Sequence, residues 1–123
     1  MRLPVLGVFL YALLIIGLSS IPGHSFPDVK WLSHDKVIHL GEYMIFGFLV
    51  SAARVSYRPD VRRLYPSTLV LAGAFAALDE AYQFVIPGRL PSLRDWVADF
   101  VGVAIGGLIY MVWKYYRAQA TAG

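Results

Sequence analysis

The feature that most constrains this chain is a set of polar side chains carried inside long apolar runs. Glu42, Asp79, Glu80, Gln83 and Asp99, with His39 beside them, lie one or two turns within stretches that hold almost no Lys or Arg. An ionisable group in a bilayer-length segment is costly unless it faces the bundle interior and finds a partner there. Such groups mark a candidate functional site by default.

The apolar runs set the fold class. The chain is 58% hydrophobic and 15% charged over 123 residues, and its mean hydropathy of +0.58 belongs to membrane proteins. A bilayer core of ~30 Å needs ~20 apolar helical residues. Four stretches approach that length. Residues 3–21 are closed by Ser19-Ser20-Ile21-Pro22-Gly23, and residues 36–54 follow Ser33 as a capping residue. Residues 66–86 stop at Pro87-Gly88, and residues 93–113 are entered through Ser92, three before Asp95, a capping-box spacing. Nothing alternates at period two, so helices are the spanning elements. The expected fold is all-α: a polytopic four-transmembrane-helix bundle with short loops, one domain over residues 1–123. A cleaved signal peptide is the rival reading of the first run, with Arg2, an apolar stretch and then small residues. The run is long for that role and no A-x-A site follows, although Gly17-Leu18-Ser19 comes near, so it is read as a retained span.

Charge gives the orientation. Arg54, Arg58, Arg62 and Arg63 stand against Asp60 in the middle loop, and Arg2, Lys114 and Arg117 lie on the same side. The opposite side carries Lys30, Lys36, Arg89 and Arg94 mixed with Asp28, Asp35 and Asp95. The positive-inside bias then puts both termini and the middle loop in the cytoplasm of a multi-pass membrane protein. The net charge of +3 is read as orientation and contact with anionic lipid head groups. No basic run is interleaved with aromatics, which leaves no nucleic-acid partner. With no cysteine, disulfides, thiolate metal sites and cysteine nucleophiles are excluded. Trp31, Trp96, Trp113, Tyr57, Tyr65, Tyr110, Tyr115 and Tyr116 lie near span ends and read as an interfacial aromatic belt. Gly102 and Gly106, with Gly107 adjoining, form a GxxxG step for close helix packing, a face also open to homo-oligomer formation.

The polar groups share one depth. At ~1.5 Å per residue, His39, Glu42, Glu80, Gln83, Asp95 and Asp99 all fall within ~10 Å of the outer boundary, with Ser19 and Ser20 level with them. His39 and Glu42 are three residues apart, as are Glu80 and Gln83; Asp79 and Gln83 are four apart, as are Asp95 and Asp99. Each pair therefore lies along one helix face. Asp79 and Glu80 are about 100° apart, so one is expected to point inward and the other toward a neighbour or the rim; Glu80 is favoured because it shares a face with Gln83 and Pro87. Lys36, Arg89 and Arg94 bring complementary charge. The arrangement predicts a small cavity at the outer leaflet, lined by carboxylates and a histidine and rimmed by cations. The plain alternative is a polar clasp, in which these groups pair only with one another to tie helices together. A clasp needs one or two contacts, and here at least six groups converge.

These same positions make the chain resemble the VanZ-like family over nearly its whole length. The resemblance rests on Ser20-Ile21-Pro22, Asp35-Lys36-x-x-His39-x-x-x-Tyr43, Asp79-Glu80-x-x-Gln83, Pro87-Gly88-Arg89, Ser92-x-x-Asp95, and Asp99 followed by Gly102 and Gly106. It departs from the family pattern at Asp99, where Asn is common, and at Asp79, where Ser is common, so this pocket is the more acidic. The resemblance implies a small bacterial cell-membrane protein associated with a glycopeptide-resistance cluster and low-level teicoplanin resistance; it brings no catalytic assignment.

Three functions compete. A binding module would hold an amphiphile: a lipid head group, a lipid-linked cell-envelope intermediate or a lipoglycopeptide. Lys36, Arg89 and Arg94 would hold phosphate or carboxylate, and Asp79, Gln83, Asp95 and Asp99 would take sugar or amide donors. An enzyme acting on a lipid-linked substrate would use Glu42 or Glu80 as base and His39 as acid. A metal-assisted form would gather His39, Glu42, Glu80 and Asp99 around a divalent ion, although no HExxH-type spacing supports it. A structural partner of envelope machinery would dock through the glycine step. No cofactor is expected, and four short spans leave little room for a transporter acting alone. Because the chain lacks cysteine, sidedness can be measured by introducing one thiol at a time: an impermeant maleimide should label Leu90→Cys on intact cells and Asp60→Cys only after lysis.

Overall fold

The computed structural model describes residues 1–23 and 32–123, with the side chains of residues 32–35 outside the description. Asp28, Lys30 and Trp31, and the side chains of Ser33 and Asp35, thus lie outside the described residues. The described chain is four helices with no strand: α1 Leu3–Ser19, α2 Leu32–Tyr57, α3 Val61–Gln83 and α4 Leu93–Ala122.

Local chemistry explains the ends. Helix α1 carries a proline in its first turn, where a missing N–H is no loss because that donor has no intrahelical partner. Asp60 caps α3 by accepting from the backbone N–H of Arg62 at 3.1 Å, and this cap starts the helix five residues before the expected Pro66. Pro66 therefore sits inside α3. Ser92 Oγ accepts from the N–H of Asp95 at 3.1 Å and starts α4 where expected. Helix α4 continues to Ala122, past the apolar run, because nothing in its polar tail breaks a helix. Helix α3 ends at Gln83, and residues 84–88 turn toward Gly88, whose φ of 74° suits a residue without Cβ.

Among the described residues, two helices, over Lys36–Tyr57 and Leu93–Ala122, are long and apolar enough to cross a membrane. The sequence predicted four. Helix α1 is apolar but has 17 residues; α3 begins with Arg62 and Arg63 and ends with Asp79, Glu80 and Gln83, which lowers its hydropathy. The outer surface is apolar all the same, with Phe9, Leu13, Ile38, Leu71, Leu78 and Leu108 exposed.

The most extensive helix contact joins α2 to α4, and glycines make it possible. A Cβ on Gly102 would strike the Leu40 carbonyl, one on Gly106 the Met44 carbonyl, and one on Gly47 the Val103 backbone. The GxxxG face predicted for close packing is thus occupied by α2 of the same chain, and self-association through it would require α2 to leave. Helix α3 packs against both, and α1 lies chiefly on α2. Ile15, Tyr43, Phe46, Val50, Ala72, Ala76 and Val103 form the core. Some aromatics assigned to the membrane interface serve packing instead. Tyr110 is buried, Tyr65 donates to the Ala104 carbonyl at 3.0 Å, and Trp96 Nε1 donates to the Gly73 carbonyl at 3.4 Å. Tyr57, Trp113, Tyr115 and Tyr116 remain on the surface.

Gly106→Ala should lower the thermal midpoint of the detergent-solubilised protein by about 3–8 °C, because overpacking costs ~1–3 kcal/mol. Gly17→Ala, where a Cβ meets nothing within 4 Å, should leave the midpoint level or raise it.

Candidate functional site

Close approach of α2 and α4 places His39 against Asp99, with Nδ1 and Oδ1 2.9 Å apart. Asp99 has 0% exposure and His39 is buried beside it. One turn along α2, the Tyr43 hydroxyl donates to Asp79 Oδ2 at 2.8 Å. Asp79 and Glu80 are both buried, at 2% and 7% exposure. Neither takes the rim, and the expected preference for Glu80 as the inward member is not met, since Asp79 is the more buried of the two. Helix α3 packs against α2 and α4 at once, so adjacent residues each meet a neighbour: Asp79 meets Tyr43, and Glu80 Oε2 accepts from the backbone N–H of Ser92 at 3.2 Å. An anion near the start of α4 is also favoured by the helix dipole.

The C-terminal end of helix α1 closes this end of the bundle. Gln83 Nε2 reaches Ser19 Oγ at 3.4 Å, and Ser20 Oγ lies 2.8 Å from the Tyr82 hydroxyl. The Arg89 guanidinium donates to the Leu18 carbonyl at 2.7 Å and to the Ile21 carbonyl at 3.0 Å, joining the Ile21 N–H on Leu18 and tying down the end of α1. Gly23 and Gly88 let the two loops touch, since a Cβ on Gly23 would strike the Gly88 carbonyl. Glu42 is half-buried and lies within electrostatic range of His39, Asp79, Asp99 and Arg89.

Not every predicted member joins this group. Lys36 and Arg94 are exposed, because α2 begins a turn before Lys36 and because Arg94 faces outward from the first turn of α4. Asp95 is half-buried, within electrostatic range of Glu80 and Asp99. The expected cationic rim is thus carried by Arg89, itself bonded to α1. Sequence reasoning gave no role to Tyr43, although its four-residue spacing from His39 puts both on one face of α2. The Ser92 backbone N–H carried no signal in the sequence.

The electrostatics are lopsided. One buried oxygen on each of Glu42, Asp79, Glu80 and Asp99 (Oε1, Oδ1, Oε1 and Oδ2) lacks a hydrogen-bond partner among the described residues. A buried acceptor left unmade costs ~1–3 kcal/mol, more when charged. The site therefore has acceptors to spare and calls for donors or positive charge. His39, Glu80 and Asp99 each offer a ligating atom within 4.8 Å of the others, drawing on α2, α3 and α4. A cavity of about 270 Å³ reaches Glu80 between Ala77, Phe84, Ser92 and Trp96. A larger apolar groove of about 590 Å³ runs between α1, α2 and α3 past Ile16, Phe46 and Phe75. The Tyr43, Phe46 and Phe75 rings, with centroids 4.8–6.5 Å apart, stand between this groove and the acidic cluster.

Among known proteins, the model of the VanZ/LLP1 family matches residues 3–114, nearly the whole chain, and the chain belongs to that family. No curated protein and no solved structure matches it.

Glu42→Gln should raise the thermal midpoint by a few degrees, equivalent to about 1 kcal/mol. It removes one like charge and supplies an amide donor next to bare oxygens. A clasp in which Glu42 is a needed partner would show a fall.

Proposed function

We propose that this VanZ/LLP1 family member is a four-span membrane protein that holds the head group of an amphiphilic or lipid-linked cell-envelope ligand at its extracytoplasmic end. The carrying observation is the set of bare carboxylate oxygens on Glu42, Asp79, Glu80 and Asp99, acceptors that amine, hydroxyl or amide donors of a head group would satisfy. The family's link to glycopeptide resistance favours a ligand in the cell envelope.

Crossing by all four helices is supported by length and by the direction of the polar groups. Helix α1 has 17 residues, ~26 Å at 1.5 Å per residue, close to a hydrocarbon thickness. The acids of α3 are buried, and its outward Val70, Leu71 and Leu78 are apolar. Sidedness follows the bias of Arg2, Arg54, Arg58, Arg62, Arg63, Lys114 and Arg117, which puts the acidic cluster at the outer end.

A membrane-embedded acid/base enzyme is the second reading, and the His39–Asp99 pair favours it. A carboxylate that orients an imidazole is a common arrangement for proton transfer. The dyad alone supplies no nucleophile or oxyanion donor set, so binding is preferred. A role in docking envelope machinery through the glycine step loses support, since α2 covers that step.

The test is native mass spectrometry of protein carried into nanodiscs directly from its membrane. The wild type should retain a discrete amphiphile at about one per chain, beyond bulk phospholipid. Asp79→Asn with Glu80→Gln should cut that occupancy at least tenfold, since charge-assisted hydrogen bonds contribute ~1.5–3 kcal/mol each. Bulk lipid alone on the wild type, or an amphiphile held equally by the double variant, defeats the binding reading. Under the enzyme reading, His39→Gln keeps the amphiphile bound and stops its conversion.

A further inference from the structure

We propose that His39, Glu80 and Asp99 bind one divalent transition-metal cation, of the Mn²⁺ or Zn²⁺ class, at the outer junction of α2, α3 and α4. Their ligating atoms lie within 4.8 Å of one another. Metal–ligand bonds of ~2.0–2.2 Å put ligand atoms ~3–4.3 Å apart, so closure needs a contraction of about half an ångström. The 2.9 Å between His39 Nδ1 and Asp99 Oδ1 is a hydrogen bond here, and it is also close to the ~3 Å spacing of neighbouring ligands on one octahedral ion with such bonds.

An acidic cluster alone would not make a site. What points to a ligand is a pair of buried oxygens on these same side chains that have no hydrogen-bond partner among the described residues: Asp99 Oδ2, on a side chain with 0% exposure, and Glu80 Oε1, on one with 7%. Helix packing has carried both out of solvent while leaving an acceptor on each without a donor among the described residues. Glu42 and Asp79 add further negative charge close by, which a +2 ion offsets directly and an added hydrogen bond only in part.

The donor set selects the class of ion. One imidazole with carboxylates suits Mn²⁺ and Zn²⁺; Mg²⁺ and Ca²⁺ prefer oxygen alone, and the chain has no thiolate for softer ions. With the ion in place, the acidic end of the bundle would attract a phosphate or carboxylate that its bare oxygens would otherwise repel. The site is argued from its three side chains and does not depend on an amphiphile being bound.

The experiment uses the full chain in detergent micelles, stripped with chelator and titrated with Mn²⁺ or Zn²⁺ alone. Calorimetry and elemental analysis should give one ion per chain, and Asp99→Asn and Glu80→Gln should each weaken binding at least tenfold, while Asp60→Asn binds as the wild type. Should those variants fail to fold, pulsed EPR of Mn²⁺ on the wild-type protein decides through the nitrogen coupling that one imidazole ligand gives. A wild type that takes up no ion at millimolar concentration, variants that bind as well as the wild type, or Mn²⁺ without nitrogen coupling overturns the proposal. Ion uptake in samples free of any amphiphile supports the site even where the ligand reading has failed.

Discussion

The approach of α2 to α4 is the constraint on which the rest of the molecule turns. Leu40 and Met44 present backbone carbonyls where Gly102 and Gly106 have no side chain, so two helices touch backbone to backbone. A larger residue at either glycine would push the axes apart. Membrane helices gain little from hiding apolar surface from lipid, and their association relies on close van der Waals contact and polar ties. The contact brings His39, one residue before Leu40, to Asp99, three residues before Gly102. A packing device thus sets the distance within the His39–Asp99 pair, and α3, docked against both helices, inherits its position from them.

The bundle contains a ready contrast for its acidic end. Ser51 and Thr68, deeper between α2 and α3, are both buried and lie 2.9 Å apart with their hydroxyls paired. That is what a purely structural tie looks like: two neutral groups, one hydrogen bond and no remainder. The acidic cluster draws on three helices and leaves four carboxyl oxygens without partners among the described residues. A sequence selected only for stability would replace such groups, since buried charge is worse than an apolar core unless fully paired. Places that break the rule of polar satisfaction are where function is expected to reside. The arrangement argues for an exogenous partner more strongly than any single residue in it.

Closure at the acidic end belongs to the same logic. Arg89 could have been a mobile loop cation waiting for an anion. It instead binds the last carbonyls of α1 and, with the Gly23–Gly88 contact, holds the first helix against the α3–α4 loop. Arg89 therefore works as a structural strap, and the cluster itself stays rich in acceptors.

Much was legible before any coordinates. Helical class, the polar residues of interest and their common depth all follow from spacing and hydropathy, because helix geometry converts residue number into height and angle without tertiary information. The capped start of α4 at Ser92 was legible for the same local reason. Proline spacing places the start of α3 at Pro66, but the Asp60 cap starts it earlier, and the helix runs through Pro66 at the loss of one i→i−4 hydrogen bond. Which neighbours the side chains meet is another matter. That Asp79 and Glu80 are both buried, that Tyr43 serves Asp79, that Lys36 and Arg94 stay outside, and that the glycine step faces α2 of its own chain depend on how helices pack side by side. Sequence periodicity fixes a residue's direction around its own axis but says nothing about what stands there. Only the packed bundle, with its glycine-set separation and three helices meeting at one level, determines which acids share a volume and which find no partner.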